Sequence, residues 1–184
     1  MDEEIRISFA HSRVERAEVL RFIETEMAAS FGCAPPPTHG TICVAWAAEM
    51  IVGTLASESA CDDEMLPLEE RYEFNHSSTP FPFVRSQIIV TTRWLAKRKG
   101  VSFLVLRETS ALALDHGKRF MLIEAKPYAV ERLNAIGAVC LPVEGARLLI
   151  AKTRAIVGEA AMRYFEQAPS PSLYMMDLTQ IVSH

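Results

Sequence analysis

The strongest constraint on the fold is the segment 84–117, in which an apolar run leads through a basic turn into a helical pattern. Residues 88–92 are apolar or β-branched, which is typical of a strand, and residues 101–116 have the periodicity of a helix. Three cations and one glycine stand between them at 97–100. The first turn of a helix has unpaired N–H groups and the positive end of the helix dipole, so it favours an anion. The segment therefore predicts a site for a phosphorylated ligand, such as coenzyme A or a phosphopantetheine arm.

The length and charge of the chain fit one domain that does not bind nucleic acid. With 184 residues the chain can bury a core of its own. Its formal net charge of −4 argues against a general nucleic-acid binder. The basic residues nevertheless form two groups, one near the turn and one after the helix: Arg93, Lys97, Arg98, Lys99, Lys118 and Arg119. A local basic patch suits an anionic ligand or an acidic small-protein partner. The alternative is a solvated turn.

The N-terminus and the cysteines predict a cytoplasmic protein without a structural metal. The first residues are acidic and do not resemble a signal peptide. No apolar run approaches the ~18 residues that span a bilayer, so we expect no integral membrane association. The four cysteines lack the spacing of metal ligands: Cys33, Cys43, Cys61 and Cys140.

The first third of the chain predicts a strand, a helix and a hairpin. Apolar and polar residues alternate at 5–9, which is the pattern of a half-buried strand. Ser12 and Glu15 form a capping box that predicts the start of a helix, and Gly32 predicts its end. Two apolar runs within residues 42–56 then predict a hairpin.

Residues 57–83 are predicted to be an insertion or a lid. The segment begins with an acidic stretch, and residues 65–74 predict a short helix with Leu68 and Tyr72 on one side. Long insertions between strands of a compact domain are often binding loops. The alternative is a surface excursion without a function.

The second half of the chain predicts alternating strands and helices. Strands are expected at 120–125, 139–143 and 147–151, helices at 128–136 and 155–167, and a tail at 168–184. Together these elements predict a single α/β domain over residues 1–184. Its mixed central sheet would be flanked by helices on both faces.

This order of elements and the basic turn resemble the GNAT acyltransferase superfamily, in which the turn binds the pyrophosphate of acyl-CoA. The family pattern is Gln/Arg-x-x-Gly-x-Gly/Ala, and Gly100 and Ser102 would occupy its first and last small positions. The resemblance implies a GNAT-like fold and no tightly bound cofactor, with acyl-CoA or acyl-phosphopantetheine as co-substrate. It also implies that the acyl donor is bound by two neighbouring stretches: Thr92, Arg93, Trp94, Leu95, Lys97, Arg98, Lys99, Gly100, Val101 and Ser102.

Two branches of the superfamily are more similar to this chain. Residues 130–133 and 136–137 resemble the Met-Glu-Arg-Leu…Gly stretch of acyl-homoserine-lactone synthases. Residues 92–96 resemble the Ser-Arg-Phe segment of those enzymes and of N-acyl amino acid synthases. This implies acyl carrier protein as a partner, bound by the two basic groups named above. Residues 66–72 and 163–166 are similar to the thermostable-hemolysin family.

The chain departs from these families at two places. Val90 and Thr91 stand where both branches carry a glutamate on the central strand. Leu133 or Asn134 aligns with the tyrosine that ordinary GNAT enzymes use as a general acid. A catalytic base, which acyl transfer to an amine requires, would therefore come from elsewhere.

Three carboxylates are candidates for that base. Glu124 ends the strand that follows the basic turn and helix, and Glu69 and Glu70 lie in the insertion. The alternative for Glu124 is a structural ion pair with Lys126 or Arg119. The alternative for the two insertion residues is an exposed helix face.

The sequence supports three hypotheses for the function. The first is transfer of an acyl group, including a long-chain fatty acyl group, from a CoA or acyl-carrier-protein thioester to the amine of a small acceptor such as an amino acid. In that scheme Arg93 would bind the donor or the acceptor. The second is a non-catalytic or hemolysin-like member that binds an acyl or phosphopantetheine ligand, and the third is an acetyl-CoA-dependent N-acetyltransferase.

Overall fold

A mixed sheet of seven strands forms the centre of the described chain, which comprises residues 4–32 and 38–183 of a computed structural model. Its strands are β1 (Ile5–Phe9), β2 (Thr41–Ala47), β3 (Met50–Ser59), β5 (Ile88–Ala96), β6 (Phe120–Ala125), β7 (Leu141–Pro142) and β9 (Ser172–Asp177). Their order across the sheet is β1-β2-β3-β5-β6-β9-β7. β5 and β6 run parallel, and the other neighbouring strands run antiparallel. β4 (Tyr72–Glu73) pairs with β8 (Arg147–Leu148) beside this sheet.

Six α-helices belong to the described residues. They are α1 (Arg13–Phe31), α2 (Val101–Asp115), α3 (Pro127–Ala135), α4 (Ile150–Val157), α5 (Glu159–Glu166) and α6 (Leu178–Val182). The predicted capping box is confirmed, because Ser12 and Glu15 exchange side-chain and backbone hydrogen bonds at the start of α1. Gly32 ends that helix at a φ of 76°, a left-handed conformation that favours glycine. In the described part of the chain, no helix is both long and apolar enough to cross a bilayer.

Successive side chains along β5 and β6 point to opposite faces of the sheet, so these strands contribute to a core on each face. Ile89 and Met121 pack with α2 and α6 on one face. Val90 and Leu122 pack on the other face against apolar side chains of residues 60–83. A third cluster joins α1 to β2 and β3: Val19, Ile23, Ile42, Val44, Trp46 and Ala56. The predicted mixed sheet, covered on both faces, is therefore confirmed.

Residues 57–83 differ from their prediction. β3 continues to Ser59, and residues 65–74 form turns and β4 instead of a short helix. Leu66, Leu68 and Tyr72 are buried in the core cluster of this face. Burial of residues 66, 68 and 72 against β5 and β6 provides the apolar contacts that a helix would have supplied. This segment is a layer of the core.

The C-terminal third also differs from its prediction. Residues 168–184 are not a tail, because β9 lies inside the sheet between β6 and β7, with Leu173 and Met175 buried. The strand predicted at 147–151 is limited to β8, and good helix formers at 151–155 continue as α4. Gly158, at φ 80° and ψ 162°, divides the helix predicted at 155–167 into α4 and α5. In β7, Pro142 has no N–H to extend a ladder, so that strand stays short.

The buried carboxylate of Glu69 connects the 60–83 segment to Arg85 through hydrogen bonds. Glu69 accepts hydrogen bonds from the backbone N–H of Leu66 at 2.8 Å and from two guanidinium nitrogens of Arg85 at 2.7 Å each. His76 Nε2 lies 3.0 Å from the same carboxylate. Burial alone would raise the pKa of Glu69, but Arg85 and the Leu66 N–H outweigh burial and hold it below its usual range. This carboxylate, one of those considered as a base, therefore has a structural role.

Acid should destabilise the protein partly through Glu69. A carboxyl whose pKa is lowered by folding stabilises the protein above its unfolded pKa, and that contribution is lost as the pH falls through the lower folded value. We expect Glu69→Gln to lower the free energy of unfolding by about 2 kcal/mol near pH 7 and by much less near pH 3. Urea unfolding at both pH values measures this difference. Glu73→Gln, which removes an exposed, solvent-screened pair with Arg147, is the control and should change both values much less. An equal loss at both pH values would contradict the assignment.

Candidate functional site

The parallel strands β5 and β6 separate halfway along their length. Their ladder begins at the pair of Ile88 with Phe120 and reaches its last pair at Thr91 with Ile123. Thr92 is an extra residue on β5, since Ala56 of β3 pairs with Arg93 while Ser57 pairs with Thr91. Such a bulge bends the strand and redirects its side chains. Beyond this point β5 stays paired with β3 and β6 with β9, so a divergence opens between them, defined by residues 92–96 and 124–125.

A group of ionisable side chains, which we name the Glu124 cluster, lies at this divergence. Its members are Arg71, Tyr72, Arg93, Glu124 and Tyr164. Arg71 Nη1 lies 3.3 Å from Glu124 Oε2, and the two side chains are only 17% and 11% exposed. The Tyr72 hydroxyl donates to the carbonyl oxygen of Pro171 at 3.4 Å and also interacts with the Glu124 carboxylate. The cluster therefore joins β5 and β6 to the 60–83 segment and α5.

Burial determines the protonation behaviour of the cluster. It raises the pKa of Glu124 above its usual range, against the opposing effects of Arg71, the Tyr72 hydroxyl and Arg93. Burial and the Glu124 charge raise the pKa of Tyr72 and of Tyr164, so both phenols stay protonated. Burial is also the main cause that lowers the pKa of Arg93, whose charge interacts with Glu58 and Glu124. A carboxyl group with a raised pKa beside polar donors has the properties of a general base.

The bulge residues of β5 make further polar contacts. Arg93 Nη1 donates to the carbonyl oxygen of Thr92. The Thr92 hydroxyl lies 3.4 Å from that of Thr38, which donates to Glu58 at 2.8 Å. The indole N–H of Trp94 is buried and has no hydrogen-bond partner among the described residues. Trp94 packs on the α2 face, whereas Leu95 packs with α1, so these two predicted donor-binding residues lie on opposite faces of the sheet.

The basic turn meets the N-terminus of α2 as predicted. Gly100 precedes the helix at a φ of 83°, and no side chain caps its first turn. A cavity of about 580 Å³ adjoins this end of the helix. Its lining is basic at the turn and apolar elsewhere: Ile5, Arg98, Lys99, Gly100, Val101, Phe103, Leu104 and Ile136. Lys97 contacts α1 instead, with its Nζ 2.7 Å from Glu26.

The structure separates the two basic groups that the sequence combined into one patch. Residues 97–99 precede α2, whereas Lys118 and Arg119 follow it, so the 15-residue helix places the groups about 22 Å apart. Lys118 donates to the carbonyl oxygen of Ser86, and Arg119 pairs with Asp177. Contact of both groups with one acidic partner, such as acyl carrier protein, therefore stays a prediction.

The two candidate bases that remain after Glu69 have different surroundings. Glu124 lies in the cluster described above, and Glu70 is exposed on the 60–83 segment. The structural pairs considered for Glu124 are not formed, since Lys126 donates to the carbonyl oxygen of Gln167 at 3.0 Å and Arg119 pairs with Asp177. Its ion-pair partner is Arg71.

Sequence reasoning missed Arg71, Tyr72 and Tyr164 as members of the site. The sequence places Arg71 and Tyr164 only within hemolysin-like stretches, and Tyr72 within such a stretch and on one side of the predicted short helix. Their contacts with Glu124 span at least 40 residues of chain, which local periodicity does not reveal. The nearest available signal was a basic residue next to an aromatic one, Arg71 and Tyr72, three and four positions after Leu68.

Comparison with known proteins defines the fold of the chain. No protein-family model and no curated protein sequence matches it. Among solved structures, the acyl-homoserine-lactone synthase LasI is similar at a TM-score of 0.64 and 7% identity, over 96% of this chain and 91% of LasI. FeeM, an N-acyl amino acid synthase from uncultured soil microbes, is similar at a TM-score of 0.60 and 8% identity, over 98% and 95% of the two chains. The catalytic domain of the Tetrahymena GCN5 histone acetyltransferase in complex with coenzyme A is similar at a TM-score of 0.52 and 8% identity, over 97% of this chain and 95% of that domain.

These similarities confirm the GNAT-like fold that the sequence predicted. The matched structures cover nearly the whole chain, and the described mixed sheet with its helices corresponds to theirs. At such low identity the likeness concerns the fold. The resemblance to the thermostable-hemolysin family stays a prediction.

Proposed function

We propose that this protein is an N-acyltransferase that moves an acyl group from a CoA or acyl-carrier-protein thioester to the amine of a small acceptor such as an amino acid. The observation that carries the proposal is the Glu124 carboxylate, buried at the point where β5 and β6 separate. Structures of the same fold include a synthase of N-acyl amino acids and an acetyltransferase in complex with coenzyme A. A buried acid beside an open strand edge is what such a reaction requires.

In this proposal Glu124 supplies the base that the central strand lacks. Val90 is fully buried beneath the 60–83 segment, so a carboxylate at that position would have no room in its apolar contacts. Glu124 comes from the adjacent strand, and the Arg71 guanidinium and the Tyr72 hydroxyl lie beside its carboxylate. Its role would be to take the proton of the acceptor amine as the amine nitrogen bonds to the thioester carbonyl carbon. Collapse of the adduct then breaks the C–S bond, and the released thiolate takes up the proton that Glu124 accepted, which regenerates the base.

The donor would lie along β5 and the N-terminus of α2. Every second residue of β5 directs its N–H and C=O away from β3, and beyond Thr91 these groups are no longer part of the ladder to β6. They are positioned to bind the amide groups of a phosphopantetheine arm and to polarise the thioester carbonyl. The turn at 97–102 would bind the phosphates, with Lys99 exposed beside the N-terminus of α2.

Acyl carrier protein as the donor is part of the same proposal. Its acidic surface would be attracted by the cations of the turn at 97–99, next to the 580 Å³ cavity. Because Lys118 and Arg119 lie at the other end of α2, the turn alone would carry this contact. CoA remains the alternative donor, and the two are distinguished by comparing acylated carrier protein with acyl-CoA as substrates.

Loss of the turn's charges should weaken donor binding. We expect the double variant Arg98→Ala/Lys99→Ala to raise the Kd for coenzyme A about tenfold, because each cation supports the phosphate at the helix N-terminus. Calorimetric titration with coenzyme A measures the change. Lys152→Ala, which removes an exposed cation from α4, is the matched control and should bind normally. Equal affinity of the double variant and the control would exclude the turn as the phosphate site.

A further inference from the structure

Arg71 is fixed in place from three directions. Its backbone carbonyl accepts a hydrogen bond from Leu149 N–H at 2.8 Å, which ties the residue to the start of α4. Its guanidinium lies over the ring of Phe165 at 5.5 Å and 3.3 Å from the Glu124 carboxylate. The neighbouring Tyr72 is buried in the core. The side chain is therefore held at Glu124 by contacts that do not depend on a ligand.

Arg71 is the cation that contacts the buried carboxylate most directly. The groups that face Glu124 are Arg71 and Tyr72 from the 60–83 segment, Arg93 from β5 and Tyr164 from α5. Both phenols are neutral, and the charge of Arg93 is shared with Glu58. Lys126, the next polar residue along the chain, donates to Gln167 and lies over the ring of Tyr164. Loss of Arg71 would leave a buried acid without its ion-pair partner.

We propose that Arg71 is a positioning residue that holds the Glu124 carboxylate at the divergence of β5 and β6 and favours its ionised form. The inference rests on the proposed function for its catalytic meaning, since an ionised Glu124 is the form that accepts a proton from the acceptor amine. It assigns a task to the 60–83 segment, which the sequence described as an insertion or lid: the segment supplies the counter-charge of the base. Opposite charge at this distance lowers the pKa of a carboxyl group, in opposition to burial.

Direct titration of Glu124 tests this assignment without reference to catalysis. In protein carrying isotope-labelled glutamate, the δ-carbon signal of Glu124 is identified by its absence in Glu124→Gln. We expect Arg71→Met to raise the titration midpoint of that signal by about 1–3 pH units, and Arg71→Lys to leave it near the wild-type value. A purely structural role would make the two variants alike. An unchanged midpoint in Arg71→Met overturns the proposal.

Two further measurements distinguish failure of the Arg71 assignment from failure of the proposed function. Arg147→Met removes an exposed arginine that pairs with Glu73 in the adjoining β4–β8 ladder, and it should not move the Glu124 signal. In the acyl-transfer assay, the acid limb of the kcat profile should shift upward in Arg71→Met by the same amount as the titration, with the KM for the donor unchanged. If the wild type transfers no acyl group from any donor, the proposed function fails, while the titration still decides the role of Arg71.

Discussion

Glu124→Gln is expected to lower the rate of acyl transfer by about 10²–10⁴-fold, the range that a general base contributes, without loss of coenzyme A binding. Glutamine keeps the size of the side chain and leaves an oxygen for Arg71, but it cannot take a proton from an amine. Thiol release from acetyl-CoA, long-chain acyl-CoA and acylated carrier protein, each with a panel of amino acids, measures the rate. Calorimetry with coenzyme A measures binding.

The matched control is Glu166→Gln, which makes the same change on α5 at an exposed pair with Arg154. It should transfer at the wild-type rate. Transfer by Glu124→Gln at the wild-type rate would contradict the assignment of the base. Glu70→Gln in the same assay separates the two remaining candidate bases, because Glu70 is exposed and Glu124 is buried.

The elements that the sequence predicted well are those with strong local signals. The helix after Ser12 has a capping box and a terminal glycine, and both are formed. The strand at 120–125 matches β6 residue for residue, since its apolar run is bounded by basic and proline-containing stretches. The basic turn stands directly before α2. In each case the residues that determine the element lie within a few positions of it.

The elements that the sequence missed depend on distant partners. β9 is a strand because Leu173 and Met175 fill the core between β6 and β7. The sequence predicted an irregular tail there, because prolines precede the segment. β4 and β8 each have only two residues, so they gain strand geometry only by pairing with one another. The helix predicted in 65–74 was wrong for the same reason, because burial of Leu66 and Leu68 prevailed over helical spacing.

The residues of the candidate site also divide into those with a local sequence signal and those that depend on distant partners. Glu124 was predicted because it ends a strand, which is a local property. Its partner Arg71 was not predicted, since 53 residues separate the two in the sequence and only the folded sheet brings them to 3.3 Å. The expectation of an ion pair with Lys126 or Arg119 used sequence neighbours, yet both of those cations bond elsewhere. A missing glutamate on β5 therefore did not mean a missing carboxylate at the site.

We expect Gly40→Ala to be the most destabilising glycine-to-alanine substitution near the site. A Cβ at Gly40 would lie 1.9 Å from the carbonyl oxygen of Ser57 and 2.7 Å from its carbonyl carbon. These are backbone atoms of β3, so no side-chain rotation relieves the clash, and β2 and β3 would have to separate where Arg16 donates to the carbonyl oxygen of Gly40.

We expect a loss of at least about 3 kcal/mol in the free energy of unfolding, measured by urea denaturation. Residual folded protein should also show weaker acyl transfer, because Thr38 and Glu58, which connect this corner to Thr92, would shift with it. Gly145→Ala is the matched control: its added Cβ meets open space, and its φ of 72° limits the cost to about 1–2 kcal/mol. A Gly40→Ala variant no less stable than this control would show that β2 and β3 do not approach so closely there, and the contacts that hold Thr92 at the bulge would need a different explanation.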